Sequence, residues 1–203
     1  ANKNQINKYS YLRILEEKQI NELINKIFTN ETKEIITEKT GYKYSIDYLI
    51  FYDREHIKEY DLNTGNGALS VLNQWYAYEW HFDKPNSTNM LKIILPITIF
   101  DEESALSVID RKKSRSIKPN LVDSSLLDKT YFKGNLNNIY GFNPTVCIHR
   151  DGIPPKGTTA TQIMFQLNPS KNWLLNKEIY KKQMKREPKF PLISYLRDKK
   201  ERI

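Results

Sequence analysis

Apolar residues recur at helical spacing near the start of the chain. Within Glu16–Phe28 they fall on one side of a helix, at Ile20, Leu23, Ile24 and Ile27. This spacing predicts an amphipathic helix over Glu16–Phe28. A second, shorter helix is predicted over Glu31–Thr37, and it ends near Gly41.

From Tyr48 onward the pattern changes to short apolar runs separated by turn residues, which is typical of strands. These runs are Tyr48–Tyr52, one or two strands within Ala68–Phe82, Met90–Phe100, Ala105–Ile109, Thr145–His149 and Thr161–Leu167. Met90–Phe100 is apolar on both faces and indicates a covered central strand, although Pro96 favours an edge or a bulge there. Ser124–Lys129 predicts a helical turn, and Asn172–Lys185 carries a helical pattern.

Together these elements predict one mainly β (α+β) domain of 203 residues. Residues 1–45 form its helical N-terminal segment, residues 46–170 its β-barrel core, and residues 171–203 a helical, charged tail. Many short strands with turns between them are typical of a β-sandwich or a jelly roll, and periodicity alone does not choose between the two.

Composition narrows the function classes. Hydrophobic residues make up 39% of the chain, yet no apolar run is long enough to span a membrane. The N-terminal residues 1–5 are polar and lack the apolar core of a signal peptide, and Cys147 is the lone cysteine. We therefore expect a cytoplasmic protein without an intrachain disulfide, in which Cys147 is buried filler.

The net charge of +8 raises the possibility of a nucleic-acid partner. The lysines are scattered, however, and the densest basic runs, at residues 111–115 and 181–186, lack aromatic motifs or zinc-ligand spacing. Solvated surface explains these runs better than nucleic-acid binding does, so no nucleic-acid partner is expected.

The sequence His81-Phe82-Asp83 is the main candidate for chemistry. Residues i and i+2 of a strand point to the same face, so His81 and Asp83 can be directed at one metal ion. His149, before a turn rich in Gly and Pro, is the candidate third ligand from a distant strand. Two imidazoles and one carboxylate form the facial triad that holds Fe(II) and leaves positions open for other ligands. The simpler interpretation is a hydrogen-bonded histidine at a strand end and an aspartate that forms a turn.

Three stretches resemble the phytanoyl-CoA dioxygenase-like family of Fe(II)/2-oxoglutarate-dependent oxygenases. The first joins W-H-F-D-K-P at 80–85 to L-K-I-I-L-P-I-T-I-F-D-E-E-S-A-L-S-V-I-D at 91–110, the second is I-H-R-D-G-I-P-P-K-G at 148–157, and the third is T-Q-I-M-F-Q-L at 161–167. The likeness covers about residues 73–168. It implies a double-stranded β-helix (a jelly roll, as in cupins) with N-terminal buttressing helices and a C-terminal helix. It also implies Fe(II) at His81, Asp83 and His149, and 2-oxoglutarate and O₂ as co-substrates.

The chain departs from that family at the co-substrate. The family places an arginine for the distal carboxylate of 2-oxoglutarate about ten residues past the second histidine, where this chain has Thr159. Lys92, Lys156 and Arg150 are the candidate substitutes, although Arg150 follows His149 directly and should point to the opposite face. Lys92 is preferred, with hydroxyl contacts from Thr159 or Thr161. The alternative for Lys92 is a lysine at a strand start that reaches solvent.

A second departure lies in the loop after Ile109, where this chain has D-R-K-K-S in place of the family's P-G-S-H. That loop borders the substrate entrance in relatives, so the substrate should differ from theirs. We expect a hydroxylase acting on a small metabolite or lipid-like molecule. The alternative, which the absent arginine favours, is a jelly-roll protein that binds a metal or ligand without turnover.

Overall fold

A computed structural model describes residues 3–7, 10–56, 80–83, 87–117, 128–135, 137–177 and 179–182. The strands are β1 (Lys3–Asn7), β2 (Ser10–Arg13), β3 (Lys43–Glu55), β4 (Leu91–Pro96), β5 (Leu106–Val108), β6 (Thr130–Phe132), β7 (Tyr140–Phe142), β8 (His149–Arg150), β9 (Thr159–Ser170) and β10 (Leu174–Leu175). The helices are α1 (Glu17–Ile27), α2 (Asn30–Thr40), α3 (Arg111–Ser114) and α4 (Ile179–Lys182).

Both predicted N-terminal helices are present, and their ends follow from local chemistry. The Glu16 side chain and Gln19 form a capping box at the start of α1, which satisfies backbone N–H groups that have no partner inside the helix. Thr29 caps α2, which is longer than predicted and ends at Gly41, a residue with φ of +79°. Glycine adopts that left-handed conformation without the steric cost of a Cβ.

Two antiparallel sheets form the body of the fold. The larger has the order β1-β2-β3-β9-β4-β7, with β10 parallel to β3, and the smaller has the order β6-β5-β8. His81 adds an isolated antiparallel bridge to His149 at the free edge of β8. The eight strands of the barrel can be numbered in chain order, with the His81 segment counted as the second: β3, the His81 segment, β4, β5, β6, β7, β8 and β9. In these numbers the order of the large sheet is 1-8-3-6 and that of the small sheet is 2-7-4-5. That alternation between two sheets is a double-stranded β-helix, which confirms the predicted jelly-roll class.

The larger sheet is covered on both faces. Its outer face packs on α1 through a cluster that includes Ile20, Ile24, Leu49, Ile93 and Phe165. Its inner face packs on the small sheet through a second cluster, which includes Tyr48, Ile94, Leu106, Val108, Phe142, Cys147 and Met164. Cys147 is buried there, and burial raises the pKa of its thiol, so the residue serves as core packing.

The observed elements differ from the predicted layout at both ends of the chain. The segment predicted as helical, residues 1–45, also contains β1 and β2, which extend the large sheet by backbone pairing to β3. Backbone pairing at a sheet edge needs no apolar pattern, so no signal for it is present in the side chains. In the tail, part of the predicted helix is the short strand β10, and α4 occupies Ile179–Lys182, while residues 183–185 of the predicted helix lie outside the described residues.

Within the core, β3 and β9 are longer than predicted, and β4 ends at Pro96, as a proline without a backbone N–H requires. The chain before His149 forms a turn instead of the strand predicted over Thr145–His149. Residues 57–79 and 118–127 lie outside the described residues, and with them most of the predicted strands in Ala68–Phe82 and helical turn at Ser124–Lys129. No helix in the described ranges is long and apolar enough to cross a membrane.

A buried arginine fixes the loop that follows β8. Arg54, on the inward face of β3, is 1% exposed and donates hydrogen bonds to the carbonyl oxygens of Gly152 and Ser104. Its Nη1 also lies 3.6 Å from an Asp151 carboxylate oxygen. Gly152 itself sits so close to the backbone of residues 103–105 that a Cβ there would overlap the Glu103 carbonyl oxygen.

Replacing Gly152 with alanine should therefore destabilise the fold by about 1–3 kcal/mol, because backbone atoms cannot move aside as a flexible side chain can. Gly157→Ala is the matched control: Gly157 has φ of +82°, and no atom lies within 4 Å of the place that its Cβ would take. The control should cost only about 1 kcal/mol, from its backbone conformation. Chemical unfolding measures both, and an equal or smaller loss for Gly152→Ala contradicts the close packing.

Candidate metal centre

Backbone pairing brings the two histidines of the predicted triad together. His81 and His149 are opposite each other in an antiparallel bridge and exchange two N–H···O bonds of 3.0 Å. Side chains of such a pair leave the sheet on the same face. The centroids of the two rings are 4.3 Å apart.

Asp83 completes the group two residues further along. Its backbone N–H donates to the Pro144 carbonyl oxygen, which holds it beside the turn that precedes β8. Asp83 Oδ1 lies 3.6 Å from His81 Nε2 and 3.5 Å from His149 Nε2. The three ligand atoms all lie within 4.8 Å of one another. The structure thus brings together the three residues that the sequence predicted as metal ligands.

The surroundings of His149 leave its Nε2 able to donate an electron pair to a metal ion. Its Nδ1 is 3.0 Å from the Cys147 carbonyl oxygen, an arrangement that assigns the ring proton to Nδ1 and leaves the Nε2 lone pair toward Asp83. Phe142 meets the ring edge-on at 4.9 Å between centroids. Burial lowers the pKa of His149, and the nearby Asp83 carboxylate offsets only part of that effect. The imidazole is therefore neutral at neutral pH, as metal ligation requires.

Asp83 is held ionised by a cation on the neighbouring sheet. Lys92 Nζ lies 2.5 Å from Asp83 Oδ2, and the side chains are 11% and 5% exposed. Burial by itself would raise the pKa of Asp83, but the nearby positive charge of Lys92, together with the adjacent imidazoles of His149 and His81, outweighs it, so the pKa lies far below its usual value. Oδ2 has no partner with hydrogen-bond geometry among the described residues, so its contact with Lys92 is one of charge.

The residues predicted to bind 2-oxoglutarate do not all share this face. Thr161 donates a 2.8 Å hydrogen bond to the buried Asp53, which also accepts from Arg13. Paired residues in neighbouring strands point to the same face, and the partners of residues 160, 162, 164 and 166 of β9 on β3 and β4 point inward. Side chains alternate along a strand, so the odd-numbered Thr159 and Thr161 point outward. Strand alternation thus places the two threonines on the face away from the triad, and their predicted contact with the co-substrate stays a prediction.

The two other predicted cations also lie elsewhere. The Arg150 guanidinium packs over the Trp80 ring, 4.9 Å from its centroid. It points away from His149, as alternation predicted. Lys156 is exposed in the turn after β8. Of the predicted co-substrate residues, Lys92 is the one that the structure places beside the triad, and its role there stays a prediction.

Sequence reasoning missed the polar residues that share the inward face. Gln166 pairs in register with Lys92, is 2% exposed, and its Oε1 has no hydrogen-bond partner in the described part of the chain. Gln162 donates to the Tyr52 hydroxyl, and burial raises the pKa of that phenol. The available signal was the pair of glutamines in the otherwise apolar run T-Q-I-M-F-Q-L.

Comparison with known proteins adds the fold but no family. Neither a family model nor a curated protein sequence matches the chain. Among solved structures, the non-heme alpha-ketoglutarate-dependent epimerase SnoN from nogalamycin biosynthesis matches with a TM-score of 0.52 and 10% identity, over 83% of this chain and 66% of that one. EvdMO1 matches with a TM-score of 0.47 and 13% identity, over 83% of this chain and 38% of that one.

The chain therefore spans about two thirds of the length of SnoN and a smaller share of EvdMO1. At 10% identity the likeness to SnoN shows a common fold. The specific resemblance to the phytanoyl-CoA dioxygenase-like family stays a prediction.

Removing one triad residue should weaken metal binding. His149→Ala loses a ligand atom that water replaces poorly, so affinity for Mn(II) or Fe(II), titrated without oxygen, should fall at least about tenfold. His56→Ala is the control, because His56 is bonded through Nδ1 to the Pro154 carbonyl oxygen and lies outside the triad. Equal affinities for wild type and His149→Ala, or loss of metal in His56→Ala, would show that the triad is wrongly assigned.

Thr161→Val tests which face of β9 meets the ligand. Its hydroxyl bonds to the buried Asp53, so the variant should lose about 1–2 kcal/mol of stability and keep wild-type affinity for 2-oxoglutarate. Thermal unfolding and calorimetric titration of the Mn(II)-loaded protein give the two values. Weaker 2-oxoglutarate binding with unchanged stability would contradict the outward placement of Thr161.

Proposed function

We propose that the chain is a non-haem Fe(II)- and 2-oxoglutarate-dependent oxygenase that hydroxylates a small metabolite or lipid-like substrate. The observation that carries the proposal is the placement of His81 Nε2, His149 Nε2 and Asp83 Oδ1 in one group, in a jelly roll. Two imidazoles and a carboxylate on one side of a cation are the ligands typical of non-haem Fe(II) oxygenases.

The donor set of the centre fits Fe(II). The Cys147 carbonyl fixes the His149 ring, and Asp83 is ionised, so these two ligands need no loss of protons before they bind. His81, Asp83 and His149 would hold the metal, which supplies the chemistry of O₂ activation when it is bound. The work of the chain is to orient the ligands and to enclose the reacting groups between two apolar sheet faces.

The co-substrate end of the site rests on fewer residues. A dicarboxylate needs a cation or several donors in a buried place, because an unpaired carboxylate there costs several kcal/mol. Lys92 and Arg54 both lie on the inward face of the large sheet, and the amides of Gln162 and Gln166 lie beside them. These side chains support binding of 2-oxoglutarate without the arginine that the resembled family carries.

The second candidate function is a jelly-roll protein that binds a metal or ligand without turnover. The observation that favours it is the inward face of β9, where Ala160, Gln162 and Gln166 offer no cation. Such a protein keeps the triad and lacks the strong bidentate partner that an arginine gives a carboxylate.

Metal binding and turnover separate the two functions. The Fe(II)-loaded protein should bind 2-oxoglutarate without oxygen and release succinate when O₂ and a substrate are supplied, while His149→Ala should do neither above background. Succinate is quantified by mass spectrometry against a metal-free sample. Metal binding with no 2-oxoglutarate affinity and no succinate across a metabolite and lipid panel establishes the non-catalytic alternative.

A further inference from the structure

Lys92 lies where a cation is costly. It is in β4, which is buried along its whole length, and the whole residue, backbone included, is 9% exposed. Its register partners on either side are Gln166 and Phe142. An ammonium group in such a place needs a close anion, since desolvation penalises an isolated charge. Asp83 Oδ2, at 2.5 Å from Nζ, is that anion.

The two oxygens of Asp83 face different partners. Oδ1 is directed at the Nε2 atoms of both histidines, while Oδ2 is directed at Lys92. A divalent cation held by Oδ1 and the histidines leaves the Lys92 contact in place on the other oxygen. Lys92 would then act on a bound metal through the carboxylate that both share.

The charge of the loaded centre follows from these contacts. A triad of two neutral imidazoles and one carboxylate leaves one positive charge on a bound divalent ion, and Lys92 brings the total to two. Excess positive charge repels the metal and attracts an anionic second ligand, and in a buried site neither effect is strongly screened by salt.

We propose that Lys92 is a positioning residue that offsets the charge of Asp83, so that the centre holds its metal less tightly and an anionic co-ligand more tightly. This inference rests on the proposed metal centre. It differs from the predicted role of Lys92 as a direct anchor for the distal carboxylate of 2-oxoglutarate. It assigns the anion preference of the site to the charge balance at the metal.

Lys92→Met tests the proposal, because methionine keeps an unbranched apolar stem and removes the charge. The Mn(II) affinity should rise at least about tenfold, and the affinity of the Mn(II)-loaded variant for 2-oxoglutarate and for oxalate should fall at least about tenfold. Calorimetric titration without oxygen measures all three. Oxalate is short enough to contact the metal without reaching a distal anchor. A lower affinity for oxalate therefore reports the charge balance alone.

Three further variants serve as controls. Lys92→Arg keeps the charge and should stay within about threefold of wild type for metal and anions. Lys113→Met removes an exposed lysine that pairs with Asp128 and should change neither affinity. Lys92→Gln keeps a polar side chain beside Asp83 without the charge. It should shift both affinities in the same directions as Lys92→Met, and it replaces Lys92→Met if that variant fails to fold.

The outcomes separate the proposal from its rivals. Weaker binding of both metal and anions in the neutral variants would show a purely structural role and overturn the inference. Unchanged metal and oxalate affinities with weaker 2-oxoglutarate binding would identify a direct anchor and also overturn it, while the metal centre stands. If a variant without the Lys92 charge binds Mn(II) and the wild type does not, the inference is supported in its strongest form. Absence of metal binding in every protein overturns the proposed function and the inference together.

Discussion

The structure depends on one strand that is paired along both edges and covered on both faces. β9 pairs with β3 over almost its whole length and with β4 over half of it, and ten consecutive residues, 160–169, are buried. Because strand side chains alternate, its odd positions support the helices and its even positions face the small sheet. A shift by one residue would exchange the two sets, so the packing of both layers fixes the register. The same register fixes which side chains can reach the triad.

That constraint explains how much of the fold the sequence could predict. The apolar spacing of α1 and the long apolar run of β4 before Pro96 directly indicate that these elements are buried, and both elements are present. The His81 and Asp83 side chains share a direction because alternation is a local rule, so their common orientation followed from two residues alone. Their meeting with His149 required a pairing between distant segments, for which the turn-rich context was only an indication. The β1–β2 hairpin follows from backbone bonds at a sheet edge, and such bonds leave no pattern in the side chains.

For a related reason, the sequence could not predict which residues of β9 face inward. A strand that is half exposed alternates between polar and apolar residues, and this alternation shows its phase; a strand buried on both faces reads as a continuous apolar run. Counting about ten residues from His149 therefore led to β9 and gave Thr159 and Thr161, one position out of phase with the inward face. Glutamines inside an apolar run were the better guide, since buried amides need partners or a ligand. Gln162 has Tyr52 as its partner, and Gln166 lies beside Lys92.

The Lys92–Asp83 pair is also hard to explain by stability alone. A buried ion pair seldom stabilises a fold more than apolar side chains of similar volume, because both charges lose their hydration. The neighbours of Lys92 along β4 are Leu91, Ile93 and Ile94, so an apolar residue would fit the strand pattern equally well. What the pair does provide is an ionised carboxylate with one oxygen already directed at two imidazoles. The jelly roll supplies the enclosure that many different proteins share, whereas the charge arrangement belongs to the site itself. The chemistry of this chain is therefore to be sought in the balance of charge around Asp83, where the fold accepts a desolvated cation that its core does not need.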